Sequence, residues 1–174
     1  MALARGDIIR KAQLDPTTVN YALRLFTPDS EYALKNVPKG KGSGHHRTFT
    51  AEQAFELAVF VSVMDAGFSR SNAKFVTVCV LRFLKNIEAL PKHGKKSSDR
   101  SETDDVFLRI VDGVWFYVLP ESIELPKPGR QLTVDQMNLG SPLDPMAEVE
   151  RPYSYLKEFR LNLTRLAHSL KSDA

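Results

Sequence analysis

Thr17, Thr18, Asn20, Tyr21 and Arg24 crowd into one short stretch, and all are side chains suited to reading nucleic-acid bases. Asn can pair in bidentate fashion with adenine, Arg with guanine, and short polar side chains near a helix N-terminus can reach base edges. Thr17 has a second use, because a helix N-terminus also suits a phosphate. Both threonines have a third, support of a helix cap, and Tyr21 would serve equally as a core residue. Further along stand Lys39, Lys41, His45, His46 and Arg47, interleaved with Gly40, Gly42 and Gly44. Cations among glycines let the backbone approach a phosphate or enter a minor groove, and Arg47 is the best single phosphate candidate. Adjacent histidines do not readily share one metal ion, and no carboxylate or cysteine is spaced to complete a site. The pair is expected to face nucleic acid or solvent, and neither a metal nor another cofactor is expected. Lys92, Lys95 and Lys96 either add sequence-independent phosphate contacts or simply keep a linker wet.

Catalytic patterns are missing from the sequence. There is no phosphate-binding Gly-Lys-Ser/Thr loop, no His-Glu-x-x-His, no Gly-x-Ser-x-Gly and no paired-cysteine zinc motif. Asp104-Asp105 and Glu121/Glu124 are acidic pairs without a partner set, and are expected to be solvated. Cys79, the single cysteine, lies in an apolar helical pattern and reads as a core residue. Asn162-Leu163-Thr164 matches a glycosylation sequon but falls in a segment that reads as helix. The chain is therefore not expected to be an enzyme. Its net charge of +3 conceals an asymmetry: residues 1–100 carry a balance of +7 and residues 101–174 one of −4. A basic first half suits a polyanionic partner, because neutralising phosphates releases counterions.

These side chains need elements to position them. The first helix is expected to begin near Gly6-Asp7 and cover residues 8–12. Asp15 is a good N-cap and Pro16 a good first helical residue, so a second helix should run from Pro16 to about Leu25. Val19 and Leu23 share a face that can pack on Ile8 and Ile9. Two short helices joined by a tight turn form a helix-turn-helix. Residues 27–47 are punctuated by Pro28, Pro38 and three glycines and read as non-helical. Extended pieces at 32–37 and 45–49 would flank a cationic hairpin tip at 39–44, a basic wing; the alternative is a linker. Thr50 and Gln53 have capping-box spacing and begin a third helix, apolar on more than one face. Gly67 ends it, Ser69 caps a fourth helix, and Pro91 stops that one near Leu90. Residues 91–105 form a linker. Asp112-Gly113 between two β-rich runs, 106–111 and 114–119, signals a hairpin. Its Val114-Trp115-Phe116-Tyr117 run either lines an effector pocket or forms the hairpin's buried face, the latter being favoured. Residues 120–152 are rich in proline and should run irregularly. A last helix over 153–171 would place Leu156, Phe159, Leu163, Leu166 and Leu170 in an a/d seam, packing on its own hairpin or on a partner chain.

The stretches Asp7 to Tyr21 and Arg47 to Gln53, with Gly67-Phe68-Ser69 beyond, together resemble the MerR family of winged-helix transcription regulators over about residues 5–85. The shared pattern is a helix, a Pro-Thr-Thr recognition helix, an Arg-x-aromatic wing strand, an acid-containing helix and a Gly-Phe-Ser turn. Two features depart from it: Asn20-Tyr21-Ala22 replaces the usual Arg-Tyr-Tyr, and the stretch leading to the wing is longer. A cysteine-bearing metal loop is also missing, so the resemblance implies DNA docking and not a metal response. The fold expected is mainly α: a winged helix-turn-helix domain over 1–90, then a small α+β region over 106–174 with a hairpin and a terminal helix. The function expected is sequence-specific binding of double-stranded DNA by a homodimer paired through the leucine seam, with the recognition helix in the major groove. An architectural or phage-packaging DNA-binding factor and a winged-helix protein-interaction module are the alternatives. With no apolar run approaching the roughly 20 residues of a membrane span, no signal-peptide pattern at the start and a lone cysteine, a cytoplasmic location is expected.

Overall fold

The computed structural model describes residues 2–39, 47–84, 105–113, 115–121, 125, 140–142 and 157–172. The chain divides into two compact units, Met1–Leu81 with Leu166–Ala174, and Arg82–Arg165. Helices combine with small antiparallel sheets in an α+β arrangement, with more strand than a mainly α fold would hold.

In the first unit, strand β1 (Leu3–Ala4) leads directly into helix α1 (Arg5–Ala12). Ala4 has no side chain with which to cap that helix, and the Asp7 carboxylate accepts from its backbone N–H at 3.1 Å instead. The helix thus starts slightly earlier than expected. Gln13 ends it in the left-handed region at φ 54°, and its own N–H and that of Leu14 both return to the Ile9 carbonyl. Asp15 then caps helix α2 (Pro16–Leu25), whose bounds are those expected. Its carboxylate accepts from the Thr18 backbone N–H at 2.6 Å and from the Thr18 hydroxyl at 3.0 Å.

Residues 27–39 are non-helical, as the prolines require. The expected pairing of 32–37 with 45–49 does not occur, because residues 32–37 form turns and bends rather than strand. Strand β2 (Thr48–Phe49) pairs antiparallel with β1, Leu3 opposite Phe49 and Ala4 opposite Thr48. Both apolar members of that pairing are buried, which gives the short ladder its hydrophobic reason. The tip at 40–46 lies outside the described residues.

Helix α3 (Ala51–Asp65) begins with the expected capping box: Thr50 Oγ1 accepts from Gln53 N–H at 3.2 Å, and Gln53 Oε1 from Thr50 N–H at 2.9 Å. Residues 54–61 are all buried, so α3 is the central element of its unit and packs on α1, α2 and β2. Phe60 meets Phe26 edge-on at 5.2 Å between ring centroids, and neither ring is exposed. Gly67, at φ 90°, turns the chain after α3. Ser69 caps helix α4 (Arg70–Leu84) by accepting from Asn72 N–H at 3.2 Å. The expected end of this helix near Leu90 and all of the linker except Asp105 lie outside the described residues.

The second unit is built on an antiparallel sheet in the order β5-β4-β3-β6, with β3 (Val106–Val111), β4 (Trp115–Pro120), β5 (Gly140–Pro142) and β6 (Glu158–Asn162). Asp112 and Gly113 turn the β3–β4 hairpin with φ 50° and 72°, the left-handed values that primed hairpin turns require. The Asp112 carboxylate also accepts from Lys157 N–H at 2.8 Å, tying the turn to the start of β6. Leu108, Ile110, Phe116 and Val118 occupy one buried face, while Val111, Tyr117 and Leu119 form a cluster on the other.

The terminal helix differs from expectation. Residues 158–162 are strand, paired with β3, and helix α5 runs only over Leu163–Lys171. Asn162 supplies the physical reason. Its Oδ1 accepts from Arg165 N–H at 2.7 Å as a helix cap, while its Nδ2 donates to Asp105 at 2.7 Å. Phe159 therefore sits on a strand and Leu156 outside the described residues, so the five positions do not form one helical seam. Leu163, Leu166 and Leu170 are buried within the single chain. Among the described residues no helix is long and apolar enough to cross a membrane.

Candidate nucleic-acid interface

Helix α2 carries two opposed stripes. Val19, Ala22 and Leu23 are buried and fix the helix to its unit. Thr17, Tyr21 and Arg24, at i, i+4 and i+7, are exposed on the other side. Tyr21 is 42% exposed, the one large hydrophobic side chain so placed among the described residues, which removes it from the core. Thr18 and Asn20 are half-buried at the stripe's edges. The Thr18 hydroxyl is engaged by Asp15, so its described role is in the cap; Thr17 keeps its hydroxyl on the exposed stripe.

Asn20 is joined by a residue that the sequence did not single out. Arg5, exposed in the first turn of α1, donates from Nη1 to Asn20 Oδ1 at 2.8 Å. The N-terminal end of α1 thus contributes a cation beside the exposed face of α2. Nothing local in the sequence signals this pairing, since the two residues lie on different helices and meet only when α1 and α2 pack.

On the β2 side, Arg47 is half-buried, with Nη1 enclosed and without a hydrogen-bond partner. Burial lowers the pKa of its guanidinium below the ordinary value. An enclosed, unsatisfied cationic donor is costly, and an incoming anion would relieve that cost. Lys39 is exposed at the other side of the tip, while Lys41, His45 and His46 lie outside the described residues, as do Lys92, Lys95 and Lys96.

Two further polar features occur in the first unit. Glu56 on α3 is 3% exposed; burial raises its carboxyl pKa, and a hydrogen bond with the Asn36 side chain draws it part of the way back. A cavity of about 330 Å³ is lined by Glu31, Tyr32, Ser71, Lys74, Phe75 and Val78. The Arg70 guanidinium lies 5.0 Å above the Tyr32 ring, and Lys74 Nζ donates to the Glu31 carbonyl. The hydrogen bond from Tyr32 to Glu31, and then the charge of that carboxylate, raise the tyrosine pKa.

In the second unit, Phe116 and Tyr117 are buried, and Trp115 stacks on Tyr117 at 6.3 Å with 20° between the rings. These aromatics serve the sheet's interior. Cys79 is half-buried on α4, less enclosed than a core position. Asp105 and Glu121 both have partners, in Asn162 and Arg160. Among the described residues no group of His, Cys, Asp and Glu side chains is placed to hold a metal ion. No family model, curated protein or solved structure matches the chain.

Proposed function

We propose that this chain binds double-stranded DNA as a sequence-specific regulator of the MerR type, with α2 in the major groove and Arg47 with the neighbouring basic segment on phosphates. The observation that carries the proposal is the exposed stripe of Thr17, Tyr21 and Arg24 on a helix whose opposite face is buried, flanked by Arg5 and Asn20. That stripe offers base-reading side chains on a rigid element, joined to α1 by the short turn at 13–15 as in a helix-turn-helix. The basic balance of the first hundred residues and the ordered sequence resemblance point the same way.

One such unit covers a short site, and binding as a homodimer would place two half-sites about one helical turn apart. Because Leu163, Leu166 and Leu170 are buried within one chain, a pairing surface would have to be found elsewhere.

Selection from a randomised duplex library, with affinity followed against salt concentration, tests the proposal. Enrichment of one two-fold-related site with a steep salt slope is expected. Salt-sensitive binding without enrichment would favour an architectural or packaging role. Absence of binding at low salt would sink the proposal and leave a protein-interaction module.

A further inference from the structure

Given the duplex-DNA reading above, on which this rests, we infer that Arg5 is a specificity-determining residue that occupies one of the two acceptor sites of the Asn20 amide oxygen and biases the pair toward guanine over adenine. The bond from Arg5 Nη1 to Asn20 Oδ1 is 2.8 Å long and joins the first turn of α1 to the half-buried edge of the exposed stripe of α2. A guanidinium has only donors, so the oxygen of the Asn20 amide faces Arg5, and the Nδ2 hydrogens lie on the other side of the amide plane's axis. Bidentate recognition of adenine needs both halves of that amide: Nδ2 donating to N7, and Oδ1 accepting from the exocyclic amine. Here one lone pair of Oδ1 is engaged and the guanidinium stands beside the other, so an adenine amine would have to share the oxygen with a second donor group. Guanine presents two acceptors, N7 and O6, on its major-groove edge. The remaining guanidinium donors of Arg5 and the amide donors of Asn20 match that edge. Arg5 is exposed and makes no other described hydrogen bond, so it is available to a ligand.

The test is binding-site selection from randomised duplexes with the full chain, Asn20→Ala and Arg5→Ala, each checked for an unchanged circular-dichroism melt. The position whose preference changes in Asn20→Ala marks the base read by the pair. The wild-type chain is expected to select guanine there. Arg5→Ala frees Oδ1 and should move the preference toward adenine by roughly 10- to 100-fold in relative enrichment. A structural role alone would weaken binding to all sequences without changing the preferred base. Adenine preferred by the wild-type chain, a preference unaltered in Arg5→Ala, or no position altered in Asn20→Ala would each overturn the inference while leaving DNA binding intact. Absence of salt-dependent binding by the wild-type chain would overturn the duplex-DNA reading itself, and this inference with it.

Discussion

Arg47 and Glu56 occupy environments that work against their charges. Arg47 holds an enclosed Nη1 without a partner, and burial lowers its pKa. Replacing such a group with an apolar side chain of similar reach is often neutral or stabilising. Arg47→Met should therefore keep or raise Tm while reducing duplex affinity and flattening the salt dependence. A lowered Tm with unchanged binding would show that the cation serves the fold instead. Glu56 has the opposite sign of shift, its carboxyl raised by burial. The folded protein thus binds that proton more tightly than the unfolded chain. The stabilisation is present below the ordinary glutamate range and is lost as pH rises through the raised value. Glu56→Gln keeps the length and a hydrogen-bonding end for Asn36 but has no charge to bury. It should gain stability over wild type at pH 8 and lose most of that advantage at pH 4, read by denaturant unfolding at both. The sequence placed Glu56 within an apolar run without showing what would surround it, because its partner comes from the irregular stretch before β2.

At the scale of elements, local chemistry was the most legible. Asp15-Pro16 defines the start of α2, Thr50 with Gln53 defines the start of α3, and Asp112-Gly113 defines the hairpin; each signal is contained within a few residues. Pairings between distant segments were not legible. The β1–β2 ladder unites the chain's start with the segment before α3, and each strand is too short to show an alternating pattern. The terminal segment misled for a different reason. Phe159, Leu163, Leu166 and Leu170 have helical spacing, yet Asn162 is a cap inside that run and divides strand from helix. Asn162→Ala should cost about 1–2 kcal/mol, since it removes the cap and the bond to Asp105 together. Chemical denaturation would measure it, and a loss below a few tenths would show that neither bond matters. The candidate surface divides in the same way. The exposed face of α2 follows from its periodicity, whereas Arg5 reaches Asn20 only through the packing of two helices.

Across the whole molecule, the first unit comprises both Met1–Leu81 and Leu166–Ala174. The leucine seam is open in sequence between packing on its own chain and pairing with a second copy, and the leucines of α5 are buried within one chain. Leu166, 6% exposed, makes a direct test. Leu166→Ala should destabilise by about 2–4 kcal/mol, as for other buried leucines, without changing the native molecular mass in light scattering. A change of mass at constant Tm would instead place this leucine at an interface between copies. The α+β character of the chain was only partly legible, because β5 and β6 join the sheet through pairings that no short motif announces.

Lys11 Nζ donates to the carbonyl of Ser172, a bond that spans 161 positions of sequence. During synthesis, the helices of the first unit emerge well before the segment that completes it. The unit must wait, with part of its apolar surface uncovered, while the intervening sheet is made. Non-local closure of this kind slows folding and prolongs exposure to aggregation.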